Sequence, residues 1–367
     1  MKRTLLIVLC IASALFVQCK KDEASVTIGV DLPLTGKYEY WGNEFKSGAE
    51  IYCRQNEKMK VVFEDNMGVP ATSATVAKRL IDFNKVDALV SLFAPFSFNL
   101  REMAETAGIP LISSFNSSTA FTGGFTYSYT DFATHDMQLP LLVDCVTDSL
   151  NLRKGVYYCV NDDYGLDGAK ILTQLMGEKG IPISGELFMT DIANHRNALA
   201  KIMKDDADFI FLIARNQDLI TAVNQIRERN PDILILGVGS FDAPEIWAGI
   251  PAQNQQNILF ASSYFEKDYS DESRKFYDEF YKQKQRDPNY PAVFGYTICQ
   301  YLAECIAQSK EQGVPLTDIL NTLDRESIRG QIKMTDRHIV YSSIAIYERK
   351  DGKSVPVAIE MKMPERD

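Results

Sequence analysis

From Ser25 onward, short β-branched runs alternate with amphipathic stretches. Residues 26–30, 60–64, 88–92 and 110–113 read as strands. Residues 42–56, 72–84 and 97–107 between them read as helices, the second with Val76, Ala77, Leu80 and Phe83 turned inward. Alternation of this kind gives a parallel sheet with right-handed crossovers. After Tyr129 the pattern restarts. A helix over 136–150 precedes strands at 155–160, 184–189, 208–213 and 233–238, with helices over 164–179, 197–204 and 218–229. Ala169, Leu172, Leu175 and Met176 share one face of the 164–179 helix, and Gly180 closes it. Long helices over 271–285 and 293–308, a short one near 316–323 and a hairpin-like tail complete the chain. The fold class expected is α/β, with two doubly wound, Rossmann-like lobes side by side. Ligands of such sheets bind beyond the carboxyl ends of the strands, here in a cleft between the lobes.

One loop stands in that place. "PLTGKYEYWG", residues 33–42, leaves the first strand with a Gly-Lys pair and three aromatic rings, Tyr38, Tyr40 and Trp41. It is no phosphate loop. Tyr38 follows Lys37 where a Ser or Thr is needed, and no glycine lies five residues before Gly36. Trp41, one of two tryptophans, is read as a wall of the cleft with Tyr40 beside it. Tyr38 is read as a surface ring.

The first residues differ from the rest. Lys2-Arg3 precede an apolar run from Leu5 to Val17, too short to span a bilayer comfortably, which ends in Gln18-Cys19. The order basic, apolar, cysteine resembles a bacterial lipoprotein signal over residues 1–19, with Cys19 lipidated. Gln18 departs from the small residue usual before that cysteine, and an ordinary export signal is the alternative. Lys20-Lys21-Asp22-Glu23 resembles the acidic tag of surface-exposed lipoproteins. The net charge is −10, and cleavage before Cys19 removes two positive charges, leaving −12. No basic cluster survives to bind nucleic acid. Cys53, Cys145, Cys159, Cys299 and Cys305 are odd in number and show no C-x-x-C spacing. They are read as free thiols, although export permits disulfides.

Several stretches resemble, in order, the leucine/isoleucine/valine type of periplasmic binding protein. They are "VTIGVDLPLTGKYEYWGNEFKSGAEIY", "ALVSLFAPFSFNLREMAETAGIPLISSFNSS", "VYYCVNDDYGLDGAKILTQLMGEKG", "PAVFGYTICQYLAECI" and "IRGQIKMTDRHIVYSSIAIYERKDG". The resemblance implies two lobes, 25–127 plus 269–325 and 130–262 plus 329–367, that close on a ligand like a hinged clamp. The crossings would fall near Tyr129, Tyr264 and Ile328. It implies a solute receptor for an ABC transporter, acting as a monomer with no cofactor or metal, held in the cell envelope by its lipid.

The resemblance also carries over a site. Ser97, Phe115 through its backbone, and Ser117 would receive the ligand carboxylate, with Trp41 as wall and Tyr164 as cover. Arg215 follows a second-lobe strand and would meet a further anionic group. Ser97 could equally be a plain N-cap, Tyr164 a locally packed ring, and Arg215 a surface cation. One departure bears on the ligand. Where amino-acid receptors of this type hold the ammonium with a glutamate, this chain has Gly239. Asp242 and Asp163 are the candidate substitutes. Without a carboxylate, a bound α-amino acid would bury an unpaired charge. The expected ligand is therefore small, polar and amino-acid-like, but not an ordinary branched-chain amino acid. Two other classes compete. An enzyme would need a constellation that the scattered His135, His195 and His338 do not form, and Asp162-Asp163 fits a helix N-terminus. A ligand-sensing or cell-wall-synthase-regulating lipoprotein of the same fold is the closer alternative.

Overall fold

The computed structural model describes residues 26–204 and 207–360, so the expected export segment and Cys19 lie outside the described residues. The first sheet contains β1 (Val26–Leu32), β2 (Met59–Asp65), β3 (Ala88–Leu92), β4 (Leu111–Ser114) and β5 (Ser128–Asp131). Their order is β2-β1-β3-β4-β5, all parallel. Ile28, Val30, Leu89, Val90 and Ile112 are fully buried on both faces, as expected where helices cover both sides of a parallel sheet.

The second sheet has a parallel part, β6 (Gly155–Val160), β7 (Ser184–Phe188), β8 (Phe209–Ile213), β9 (Leu234–Gly237) and β10 (Ile258–Ser263). A small third sheet follows, made of β11 (Asp324–Ser327), β12 (Gly330–Met334) and β13 (Val340–Tyr341). The hairpin of β14 (Ile344–Lys350) and β15 (Lys353–Glu360) then returns to the second sheet, pairing antiparallel with β10. The full order there is β15-β14-β10-β9-β8-β6-β7.

The chain thus leaves the first sheet after Asp131, leaves the second after Ser263 for the late helices and the third sheet, and rejoins the second after Tyr341. The passages are tied to one another. Thr130 donates its amide to the carbonyl of His338 at 2.9 Å, and Tyr264 to that of Ser343 at 2.8 Å. β5 and β10 are the strands that periodicity passes over. β5 is "SYTD", whose polar side chains are buried between β4 and the third sheet.

The helix expected over 42–56 runs from Glu39 to Arg54. Gly36, at φ +84°, completes the turn, and Glu39 donates to its carbonyl at 3.2 Å. Gly42 lies inside this helix rather than starting it. A Cβ there would stand 2.2 Å from the carbonyl oxygen of Pro33, so the glycine lets the loop fold back over the first turn. The helix expected over 97–107 begins at Ala94 and is broken by a 3₁₀ turn, Phe98–Leu100, before Arg101–Ala107.

The late helix Tyr290–Gln312 packs against Glu39–Arg54 almost backbone to backbone. A Cβ on Gly48 would lie 1.8 Å from the oxygen of Ala292, and one on Gly295 would lie 2.0 Å from that of Phe45. This contact joins a late segment of the chain to the layer over the first sheet.

Candidate ligand-binding site

The carboxyl ends of β1, β3 and β4 face the carboxyl-end loops of the second sheet across a partly enclosed cavity. Asp65 holds the loop after β1 in place. Its carboxylate accepts hydrogen bonds from the amides of Leu34 (2.9 Å), Thr35 (3.2 Å) and Met67 (2.8 Å) and from the Thr35 hydroxyl (2.7 Å).

Beyond β3 and β4 the backbone turns sharply. Phe93 adopts φ +64° with ψ 145°, and Phe115 adopts φ +56°. Such conformations are costly for a residue with a Cβ, about 1–3 kcal/mol each, and cluster at ligand sites. Here they turn two rings into the cavity, 5.8 Å apart. Trp41 lies edge-on to Phe93 (5.3 Å), Phe115 (5.5 Å) and Tyr290 (5.2 Å). Phe132, just after β5, meets Phe115 at 5.6 Å. The wall on this side is a continuous set of rings.

The opposite side is more polar. Asp162 caps the helix Asp163–Glu178, accepting from the amides of Tyr164 and Gly165, each at 3.1 Å. Its other oxygen meets Arg215 Nη2 at 2.5 Å. The Arg215 guanidinium lies over the Tyr164 ring, 4.5 Å from its centroid. Burial pushes the Tyr164 hydroxyl up to about 12, so it stays protonated and can donate. Beneath Tyr164 sits His135, 4.7 Å between centroids, with Nδ1 at 3.1 Å from Asp167. Asp167 also accepts from the hydroxyl of Thr119, 2.8 Å away in the loop after β4. A polar bridge therefore links the two sides beside the cavity.

Trp41, Phe115, Ser117, Tyr164 and Arg215 line this one cavity together. Phe115 contributes its ring as well as backbone. Three expected residues lie elsewhere. Ser97 is fully buried, donating to the Phe93 carbonyl (2.9 Å) and accepting from the Ser113 hydroxyl (2.8 Å). The earlier helix start turns it toward the sheet. Tyr40 precedes Trp41 in the same helical turn, so their side chains diverge by about 100°. The Tyr40 hydroxyl accepts from Asn289 Nδ2 at 2.6 Å, away from the cavity lining. Asp242 accepts from the Ser262 hydroxyl on β10 at 2.9 Å and lines a separate depression with Trp247 and Arg349. Asp163 is exposed and also outside the lining.

Tyr38 is no free surface ring. It is half-buried in the cavity wall, 5.4 Å from Phe93 and 5.7 Å from Phe96. Phe93, Phe96, Phe132, Tyr290 and Asn116 are lining residues that sequence reasoning missed. For Tyr290 a signal was present, because Asn289 followed by Tyr-Pro marks a helix start. Asn289 does cap that helix, accepting from the amide of Ala292 at 3.2 Å.

Gly239 lies in the lining, its amide donating to Gln138 Oε1 at 2.8 Å. A Cβ there would stand 3.0 Å from Phe132 Cζ. The ring thus occupies the room that a longer side chain would need. No Asp or Glu belongs to the described lining, and Arg215 is its single charged member.

An amino acid binding protein of Pseudomonas aeruginosa is 26% identical over 220 residues, which cover 56% of this chain and 58% of that protein. Among solved structures, the branched-chain amino acid transporter substrate-binding protein LivJ from Streptococcus pneumoniae, in complex with isoleucine, superposes with a TM-score of 0.81. It is 24% identical, with 93% of this chain and 100% of that one covered. An ABC transporter solute-binding protein from R. palustris, in complex with benzoate, gives a TM-score of 0.79 at 18% identity, covering 93% and 98%. The Periplasmic binding protein family profile matches residues 25–353. With that match spanning nearly all of a chain built on two α/β sheets, the protein belongs to the periplasmic binding protein family.

Proposed function

We propose that this chain is an extracytoplasmic, lipid-anchored receptor that captures one small solute by hinge closure and delivers it to an ABC transporter permease. In this reading Cys19 carries the lipid. The lobes are 25–127 plus 269–325 and 130–262 plus 329–367, and the protein works as a monomer without a cofactor. The observation that carries the reading is the ring-lined cavity at the carboxyl ends of two parallel sheets, to which both sides contribute.

The same cavity narrows the ligand. Its walls offer edges and faces of aromatic rings to a flat or branched apolar body. Arg215 spends one donor group on Asp162 and has others left for an acceptor. A ligand ammonium would find no carboxylate among the lining residues, and Glu245, which stands beside Trp41, is held above its ordinary value by burial, which disfavours the anion. A small organic acid with an apolar, ring-sized body and no ammonium fits better than an α-amino acid. The benzoate held by the R. palustris neighbour has that chemistry. The expectation of a polar, amino-acid-like ligand is thereby refined toward a less polar one.

Native mass spectrometry of gently purified protein, looking for a retained small molecule, tests the receptor reading. Calorimetry with benzoate, leucine and isoleucine tests the ligand class. Binding of benzoate with no heat from leucine is expected. Tight leucine binding overturns the ligand class but leaves the receptor. A protein that retains no small molecule, and shows no closure in small-angle scattering with any of the panel, overturns both.

A further inference from the structure

The helices Glu39–Arg54 and Tyr290–Gln312 run in the same direction away from the cavity, which takes Trp41 from the first turn of one and Tyr290 from the start of the other. Their contact advances by one turn on each at a time. A Cβ on Gly48 would meet the oxygen of Ala292, and one on Gly295 would stand between Phe45 and Ala49, 3.1 Å from the Ala49 amide nitrogen. Further along, the rings of Tyr52 and Tyr296 meet at 5.2 Å, and the Tyr296 hydroxyl donates to Gln55 Oε1 at 3.1 Å. Phe45, Ala49 and Cys53 lie on one ridge four residues apart, and Gly295 and Cys299 on the facing one. One turn beyond Gly295, Cys299 therefore faces Cys53 across the seam between the two helices. Helices usually pack with axes 8–10 Å apart. The glycines bring this pair closer, which favours the Cα separation of roughly 4.4–6.8 Å that a disulfide spans.

We propose that Cys53 and Cys299 form a redox-active dithiol that closes into a disulfide outside the cytoplasm and staples these two helices together. Both are free thiols here, Cys53 half-buried and Cys299 buried. That asymmetry assigns the roles. Cys53 is the thiol a reagent can reach, and the Cys299 contact holds it below its ordinary value, while the same contact and burial push Cys299 well up. The Cys53 thiolate attacks a small disulfide donor, forming a mixed disulfide and expelling one donor thiolate. Cys299 then gives up its proton to solvent base and attacks the Cys53 sulfur, expelling the second. Two cysteines are oxidised to one cystine, and the donor disulfide is reduced to two thiols. The closed loop, from 53 to 299, is long, so the constraint on the unfolded chain is large.

The inference takes only its compartment from the proposed function, and the chemistry is tested in vitro independently of any ligand. The mature full-length protein is incubated with oxidised glutathione or with dithiothreitol, alkylated with N-ethylmaleimide, digested and analysed by mass spectrometry. The oxidised sample should yield a linked peptide pair containing Cys53 and Cys299, with Cys145, Cys159 and Cys305 in the same alkylation state as in the reduced sample. Its Tm should rise by several degrees, and Cys53→Ser or Cys299→Ser should each abolish the rise. Separate alkylation of both cysteines after oxidation, a persistent glutathione adduct on Cys53, or linkage of Cys53 to any other cysteine overturns the proposal.

Discussion

Asp131 and Arg329 meet across 198 residues of sequence with no solvent on either side chain, Arg329 Nη2 lying 2.6 and 2.7 Å from the two carboxylate oxygens. The guanidinium also lies 4.1 Å from the ring centroid of Phe294, which in turn backs Phe115 and Phe132. The pair sits where β5 ends and β11 turns into β12, so it ties the first sheet to the third. Taking away the carboxylate strands a buried cation, at a cost of about 3–5 kcal/mol. Asp131→Asn should lower the urea unfolding midpoint accordingly. A midpoint equal to wild type would show that the pair has no such role.

The wall of rings gives a prediction separable from folding. Tyr38 is half-buried and packs on Phe93 and Phe96, whereas Trp41 is buried among three rings. Tyr38→Ala should weaken binding of the retained ligand several-fold in calorimetry while moving Tm little. Trp41→Ala should weaken binding and also cost about 3–5 kcal/mol of stability. Unchanged affinity in both variants would remove the rings from the site.

Much of this arrangement was legible in the chain, for identifiable reasons. β3 begins just after Asp87, and β6 ends just before Asn161-Asp162, where their apolar runs break. Trp41 was legible because an indole in a polar loop has few structural uses. Phe93 was not, because nothing in a sequence marks a phenylalanine held at positive φ, and Phe115 was expected only through its backbone, not its ring. Phe132 was hidden by a strand whose buried side chains are Ser, Thr and Asp. Ser97, Tyr40 and Asp242 were misplaced by small shifts of helix start or by local hydrogen bonds. A few residues of error at an element end redirect a side chain without altering the fold.

Asp31 supplies a pH test. It is fully buried on β1, and burial pushes its carboxyl up to about 6 against the Ser91 hydroxyl bond at 2.8 Å that favours ionisation. The folded protein holds this proton more tightly than the unfolded chain, whose aspartates titrate near 3.9. The stabilising contribution is complete below about pH 4 and is lost as pH rises through about 6. Asp31→Asn should therefore gain on wild type by roughly 2–3 kcal/mol between pH 4 and pH 7. Urea unfolding at the two pH values measures it, and a constant difference would contradict the shift.

The proposed lipid anchor can be tested on its own. Cys19→Ser should release the protein from the membrane to the soluble fraction of an expressing cell, with ligand binding unaltered. Continued sedimentation with membranes would exclude Cys19 as the point of attachment.

The left-handed backbone at Phe93 has a consequence for anyone evolving this protein. At φ +64° and ψ 145°, glycine would be the more comfortable residue, yet glycine would delete a ring from the cavity. A laboratory selection for heat resistance alone, run without solute, is free to lose the strained Phe93 once Tyr38, Trp41, Phe96 and Phe115 repack to offset its missing contacts, and should yield proteins that no longer hold cargo. A selection run with solute present should keep the phenylalanine. The residue found at position 93 would then serve as a historical record of whether a lineage was under pressure to bind or merely to persist.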